Sequence, residues 1–279
     1  MIAHTSFAFS LGEPLGCCPD GEARALFALG CLGPDVYFFD QFPPTPFLPN
    51  QKPHGNRLHG VPCDALCRAL MQLSDDALRP YVYGFLTHIA LDSTLHPYIC
   101  ARYPSGLDHT RFEGDIDAVL YERYKDRFDF RHIFPMPKQI DRLDALMTDV
   151  SRKVVDAGIY GAYRRSARKL LRLYPLLFDP DAKRFRFFAA LEKPLHKTGA
   201  ISGLLVGPPH AYFSDCMNTQ RTPWRAPAKP DVERTETVDE LFAEAKAFAE
   251  QLIRAAQAND VETLCALTAD RTLEAGPLS

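Results

Sequence analysis

Three residues with coordinating side chains, His88, Asp92 and His96, fall at successive steps of four within Gly84-Phe-Leu-Thr-His-Ile-Ala-Leu-Asp-Ser-Thr-Leu-His-Pro97. A step of four advances an α-helix by only about 40°, so all three project from one stripe. Phe85, Leu86, Ile89, Leu91 and Leu95 make the rest of that helix apolar. A buried polar group without a partner costs roughly 1–3 kcal/mol, and a metal shared between the three removes that penalty. Pro97, directly after His96, predicts that the helix ends or bends there. The spacing recurs in His109-Thr-Arg-Phe-Glu113. Two neighbouring helices that present imidazole and carboxylate are how a di-metal centre is built in an all-helical core. Asp117 continues the second stripe and reads as a supporting or surface residue.

The residue types narrow the metal. No Glu has a His three residues on, as carboxylate-bridged di-iron bundles require, and no His-Asp dipeptide of the phosphohydrolase kind occurs. Cys63 and Cys67 have no second knuckle to complete a thiolate zinc site, and Cys17 and Cys18 are adjacent. Imidazole and carboxylate ligands around an open position suit hydrolytic zinc best. No Ser-His-Asp or nucleophilic Cys arrangement competes with that reading.

The elements that must carry these residues are helical. Apolar residues recur at three- and four-residue spacing over 20–31, 62–73 and 80–95, the last two opened by Pro62 and Pro80. Thr110 to Glu113 reads as a capping box for a helix running to about Tyr124, with Asp108 a competing cap. Further helices are predicted over 138–156, 159–173, 181–193 and 238–257, the last introduced by Thr237-Val-Asp-Glu240, with a short one after Asn259-Asp260. Period-two alternation is missing, so strands are few or absent. The expectation is an all-α fold, one multi-helical domain over 1–279, with metal ligands in 1–120 and helices from 138–279 completing it. Phe42–Pro53 and Met217–Glu236, rich in proline and polar residues, connect its parts.

Composition excludes several classes. The 279 residues are 46% hydrophobic and 24% charged, which rules out a disordered chain. The balance of 32 basic against 35 acidic residues, without a block of like charge, suggests neither a nucleic-acid wrapper nor an anionic-membrane protein. The longest apolar run, Ala25 to Phe39, is broken by glycines, Pro34 and Asp35 and is no membrane span. The opening Met-Ile-Ala-His-Thr-Ser-Phe lacks the features of a secretory signal, so a cytoplasmic location with mostly free thiols is expected.

Several stretches together resemble the bacterial zinc-dependent phospholipase C family, whose fold is shared with single-strand-specific zinc nucleases. They are His4-Thr-Ser-Phe, Leu29-Gly-Cys-Leu-Gly-Pro-Asp35, Gly55-Asn-Arg-Leu-His59, Tyr83 through Tyr98, and His109 through Asp117, in matching order over residues 4–120. Asn218 to Pro227 and the helix from Val238 match more loosely. The resemblance implies that Asp35, His59, His88 and Asp92 surround one zinc and that His96, His109 and Glu113 hold another. His4 with a bridging Asp92 would hold a third. In secreted members the mature N-terminal amine completes that third site. Here Ile2 hinders removal of Met1, so two zincs are expected and the third stays open. His54 is the alternative to His59, which fits the family pattern better.

The implied activity is phosphodiester hydrolysis. Zinc lowers the pKa of its water from about 15.7 toward about 7, and two ions roughly 3.5–4 Å apart brace nucleophile and phosphoryl oxygens. Asp35, presented rigidly after Gly33-Pro34, is either a ligand alone or also the group that orients or deprotonates the attacking water. The expected partner is a phospholipid or small phosphodiester, with no stable nucleic-acid complex. A nuclease or nucleotidase, or a non-catalytic metal-binding protein of the same fold, are the alternatives. Arg164, Arg165, Arg168, Lys169 and Arg172 suit either a nucleic-acid groove or a solvated helix face. Tyr37, Phe38, Phe39 and Tyr98 read as core packing before a choline-binding wall. His132, His196 and His210 read as surface residues, and no membrane-binding amphipathic stretch is evident.

Overall fold

Helical spacing of the apolar residues resolves into α-helices across most of the described chain, residues 1–41, 52–195, 201–206 and 212–277 of the computed structural model. Most of the Phe42–Pro53 connector, and His196 and His210, lie outside the described residues. In order the helices are α1 (Ile2–Gly12), α2 (Glu22–Gly30), α3 (Lys52–His59), α4 (Cys63–Leu73), α5 (Arg79–Arg102) and α6 (Leu107–Tyr124). There follow α7 (Ile140–Val155), α8 (Ala162–Leu177), α9 (Lys183–Glu192), α10 (Val238–Gln257) and α11 (Val261–Thr268). A 3-10 segment spans Gly33–Gln41, and two-residue strands β1 (Arg271–Thr272) and β2 (Gly276–Pro277) pair antiparallel. The fold is all-α, as its periodicity predicts.

α5 is the axis of the structure, with α2 and α10 packed along it and α1 and α6 beside it. Its contact with α2 is a crossing of two glycines. A Cβ on Gly84 would lie 2.3 Å from the Phe27 carbonyl oxygen, and one on Gly30 would lie 2.2 Å from that of Tyr81. Only hydrogen at both positions lets the backbones meet this closely. Fully buried Phe27, Leu29, Tyr81, Phe85 and Ile89 fill the surrounding core.

Two expectations about helix ends are corrected. α5 continues through Pro97 to Arg102. Proline at 97 frees the carbonyl of Ser93, four residues back. Gly276 of β2 packs over that carbonyl and the Pro97 ring, and a Cβ there would meet each at 2.6 Å. β2 thus packs on the helix at the point where its hydrogen bond is missing. α6 starts at Leu107 after Gly106, whose φ is 86°, so Thr110 lies inside its first turn and is not a cap. The capping box read at Thr237 and Glu240 does form: the Thr237 hydroxyl accepts from the Glu240 amide at 3.2 Å, and the Glu240 carboxylate accepts from the Thr237 amide at 2.9 Å.

Three elements had no expectation. α1 is buried on nearly every face, so it shows no amphipathic period. Its amino end is held from outside: Asp117 of α6 accepts from the Ile2 amide at 3.0 Å, from the Ala3 amide at 2.8 Å, and from the Met1 amine at 2.7 Å. A carboxylate satisfies the free amides of the first turn and complements the helix dipole. The 3-10 segment is pinned by Asp40, whose buried carboxylate accepts from Arg165 of α8 at 2.8 Å, with Lys169 3.7 Å away. Part of the basic face of α8 is therefore used internally. α3 is short and polar and packs on the 3-10 segment.

The glycine crossing makes a direct prediction. Gly84→Ala should lower unfolding free energy by about 1–3 kcal/mol through overpacking, read as a lower denaturant midpoint. An unchanged midpoint would show that the two helices can separate freely.

Candidate metal centre

Five elements deliver the coordinating side chains to one place. α1 brings His4, the 3-10 segment Asp35, the last residue of α3 His59, α5 the stripe His88, Asp92 and His96, and α6 the pair His109 and Glu113. The steps of four on α5 and α6 do place their residues on facing stripes. His4, Asp35 and His88 form one group of ligand atoms, His59, His88 and Asp92 a second, and His96, His109 and Glu113 a third, the atoms of each lying within 4.8 Å of one another.

Within these groups the contacts are between Nε2 atoms and carboxylate oxygens. His4 and Asp92 meet at 3.3 Å, His88 and Asp92 at 3.2 Å, and His59 and Asp35 at 3.0 Å. Glu113 Oε1 lies 3.3 Å from Nε2 of both His96 and His109. Tetrahedral zinc with nitrogen and oxygen ligands at about 2.0–2.1 Å sets its ligand atoms about 3.3 Å apart. His88 supplies the second half of the test. It is wholly buried, and neither of its ring nitrogens has a hydrogen-bond partner, although Asp92 is so near. It belongs to two of the three groups, among ligand atoms to none of which it is hydrogen-bonded. A divalent cation there meets a need that the protein atoms leave unmet. The residues fit zinc.

Orientation of the rings comes from behind. His59 Nδ1 donates to the Gly55 carbonyl at 2.8 Å and His109 Nδ1 to the Tyr103 carbonyl at 2.7 Å, so that in the neutral rings the lone pair sits on Nε2, facing the cluster. The His88 ring is wedged in place by Gly33, where a Cβ would lie 2.4 Å from it, and it stacks on His4 with centroids 4.7 Å apart. Position 33 also has φ of 48°, which glycine adopts without strain. The turn that presents Asp35 therefore also braces His88.

Burial and charge set the protonation of the metal-free cluster. Burial holds the His88 and His4 imidazoles well below their ordinary value, helped by neighbouring positive charge. Burial also opposes charge on His96, yet the Glu113 hydrogen bond and the Asp92 charge push it up to about 10. Glu113 is held below the usual carboxylate range: burial works the other way, but hydrogen bonds from His109 and His96 prevail. Burial raises Asp92 to about 7. For Asp35 burial is outweighed chiefly by the hydrogen bond from His59, which holds its carboxyl below the ordinary value.

Seven of the eight cluster residues, all but the fully buried His88, line a pocket of about 890 Å³. Phe38 and Phe39 form one wall, Phe38 stacked on His59 at 5.4 Å, whereas Tyr37 and Tyr98 are buried in the core. Leu95, Ile99, Leu107 and Ile116 make an apolar wall, continued by Leu177, Leu205 and Val206 from the second half of the chain. That second contribution has no signal in the sequence. His54 is elsewhere, 3.0 Å from the Ser151 hydroxyl, and His132 is exposed beside Asp129.

Two outcomes follow for the metal. Saturating zinc should stabilise the protein by about 3–4 kcal/mol at a hundred to a thousand times its dissociation constant, and His88→Ala should lose most of this. Differential scanning calorimetry before and after chelation measures it, and a stabilisation by zinc that His88→Ala retains in full would refute the assignment. Protons must leave His96 and His109 as metal enters, so affinity should fall as pH drops from about 8 to about 6, with proton release seen by titration calorimetry in two buffers. A pH-independent affinity would place the metal elsewhere.

The sequence profile of the family described as zinc-dependent phospholipase C matches residues 8–169, more than half of the chain. The match takes in every member of the cluster except His4. No curated protein and no solved structure matches this chain. With the profile covering the elements that carry the cluster, the chain belongs to the zinc-dependent phospholipase C family.

Proposed function

We propose that the protein is a zinc-dependent phosphodiester hydrolase of phospholipase C type, acting on a phospholipid head group or a related diester. The observation that supports this is that seven of the candidate ligands line a pocket that also carries an apolar wall, Leu95, Ile99, Leu107, Ile116 and Leu177 among it. Such a pocket suits an amphiphile with a phosphoryl group at the polar end and a glyceride portion along Leu95, Ile99 and Leu177. His4, Asp35, His59, His88 and Asp92 would hold metal on one side and His96, His109 and Glu113 on the other. Zinc, when bound, lowers the pKa of water toward neutrality and polarises a phosphoryl oxygen.

The protein side chains contribute position and proton acceptance. Asp35 is the ligand-set carboxylate on the pocket wall whose segment is anchored behind by Asp40 and Arg165, so its oxygens hold a fixed direction. Ionised and partly exposed, it can orient an attacking water and accept its proton. Among the described residues no Lys or Arg lines the pocket, which favours a single phosphodiester over a polyanionic nucleic acid.

The test is a panel run on zinc-loaded protein: a chromogenic phosphodiester, a short-chain phosphatidylcholine below its micelle threshold, and single-stranded DNA. The first two should be hydrolysed and the third not, and Asp35→Asn should cut turnover by roughly 10²–10⁴-fold. Bound zinc without turnover of any of the three would make this a metal-binding protein and not an enzyme.

A further inference from the structure

The geometry points to a lipid-docking face on α8 and α9, next to segments that line the pocket, fitted to a bilayer that contains anionic lipid. This rests on the hydrolase reading above, and it names the surface from which the same pocket would take its substrate. Helices of water-soluble domains ordinarily turn their apolar residues inward. α9 does the reverse: Phe187 is 61% exposed and Leu191, four residues on, is 50% exposed. Ala190 is exposed between them, whereas the one acidic side chain of the helix, Glu192, is buried. Leu176, at the end of α8, is 60% exposed. Large aromatic and aliphatic side chains held in water at this spacing mark an interaction surface.

Position and charge select the occupant. The Glu192 carboxylate accepts from the Ser202 amide at 2.9 Å and from the Ser202 hydroxyl at 2.6 Å, which ties the end of α9 to the segment bearing Gly203 and Leu205. Those two residues line the pocket, as does Leu177, the neighbour of exposed Leu176. Arg184 fastens the start of α9 to the end of α8 by donating to the Phe178 carbonyl at 2.9 Å and to that of Leu176. The elements that bear the apolar face are thus tied directly to residues that line the site. Around it stand Arg186 and Lys193 of α9 and Arg172 of α8, all exposed. An apolar stripe edged with basic side chains is the pattern of a helix lying in the lipid interface, where acyl chains receive the rings and anionic head groups receive the cations. The sequence hides it because 181–193 carries apolar residues on its inner side as well, Phe185, Phe188 and Ala189. Among the described residues no helix is long and apolar enough to cross a membrane, so the face would lie on the bilayer and not within it.

Co-sedimentation of the zinc-loaded protein with phosphatidylcholine vesicles, with and without phosphatidylglycerol, tests this. The wild-type chain should partition onto the anionic vesicles and be released by high salt. Phe187→Ser with Leu191→Ser should weaken that partition by about tenfold or more, and Arg186→Glu with Lys193→Glu should abolish the preference for anionic lipid. Both double variants should melt as wild type does and hydrolyse a soluble chromogenic diester at the wild-type rate. Wild-type protein that stays in the supernatant, or an apolar double variant that sediments as well as wild type, overturns the proposal. So does a wild-type dimer that the apolar substitutions dissolve without any vesicle binding, which would assign the face to a second copy of this chain. Vesicle binding without turnover of the soluble diester leaves the docking face standing and removes the hydrolase reading. Turnover of the diester without vesicle binding does the opposite.

Discussion

Withdrawing imidazoles and carboxylates from water is the constraint around which this structure is arranged. Eight such side chains converge at the pocket, and His88 is buried without a hydrogen bond to either nitrogen. Paired charges can offset part of that desolvation, as Glu113 does between His96 and His109. They do not offset all of it, because both His88 nitrogens and Nδ1 of His4 and His96 are left without a partner. The surrounding architecture is closely packed where these residues sit: a glycine crossing at α2 and α5, a glycine pressed on the His88 ring, and a carboxylate cap from α6 on the helix of His4.

The helices that carry the most ligands were the most legible. On α5 and α6 the step of four survives folding because it is intrinsic to the helix, and the apolar residues between the ligands made the stripe conspicuous. His4, Asp35 and His59 were reached through the family resemblance and not through periodicity. His4 lies on a helix buried on nearly every face, Asp35 on a 3-10 segment and His59 on a polar helix of eight residues, so their approach to α5 is a tertiary fact. His54 and His59 are separated by the same kind of fact: the turn of α3 sends one to Ser151 and the other to Asp35.

What the sequence concealed was the contribution of distant chain. Leu177, Gly203, Leu205 and Val206 reach the pocket from beyond the family match, and nothing in their local pattern marks them. The basic run on α8 illustrates a related difficulty. Arg165 and Lys169 are committed to buried Asp40, while Arg168 and Arg172 point outward, and charge counting treats the four alike. Pro97 misled for a third reason: proline removes a local hydrogen bond, but the freed carbonyl can be covered by another part of the fold.

That cover has a consequence for the order of assembly. The Ser93 carbonyl lies between Asp92 and His96, and the backbone placed over it comes from Gly276. The ligand-bearing helix is therefore completed by residues made some 180 positions later. A ribosome that has released only the first half of the chain has already emitted every proposed ligand, but the helix bearing three of them still has an open seam. Closure of that seam thus waits for chain made well after the last proposed ligand, Glu113.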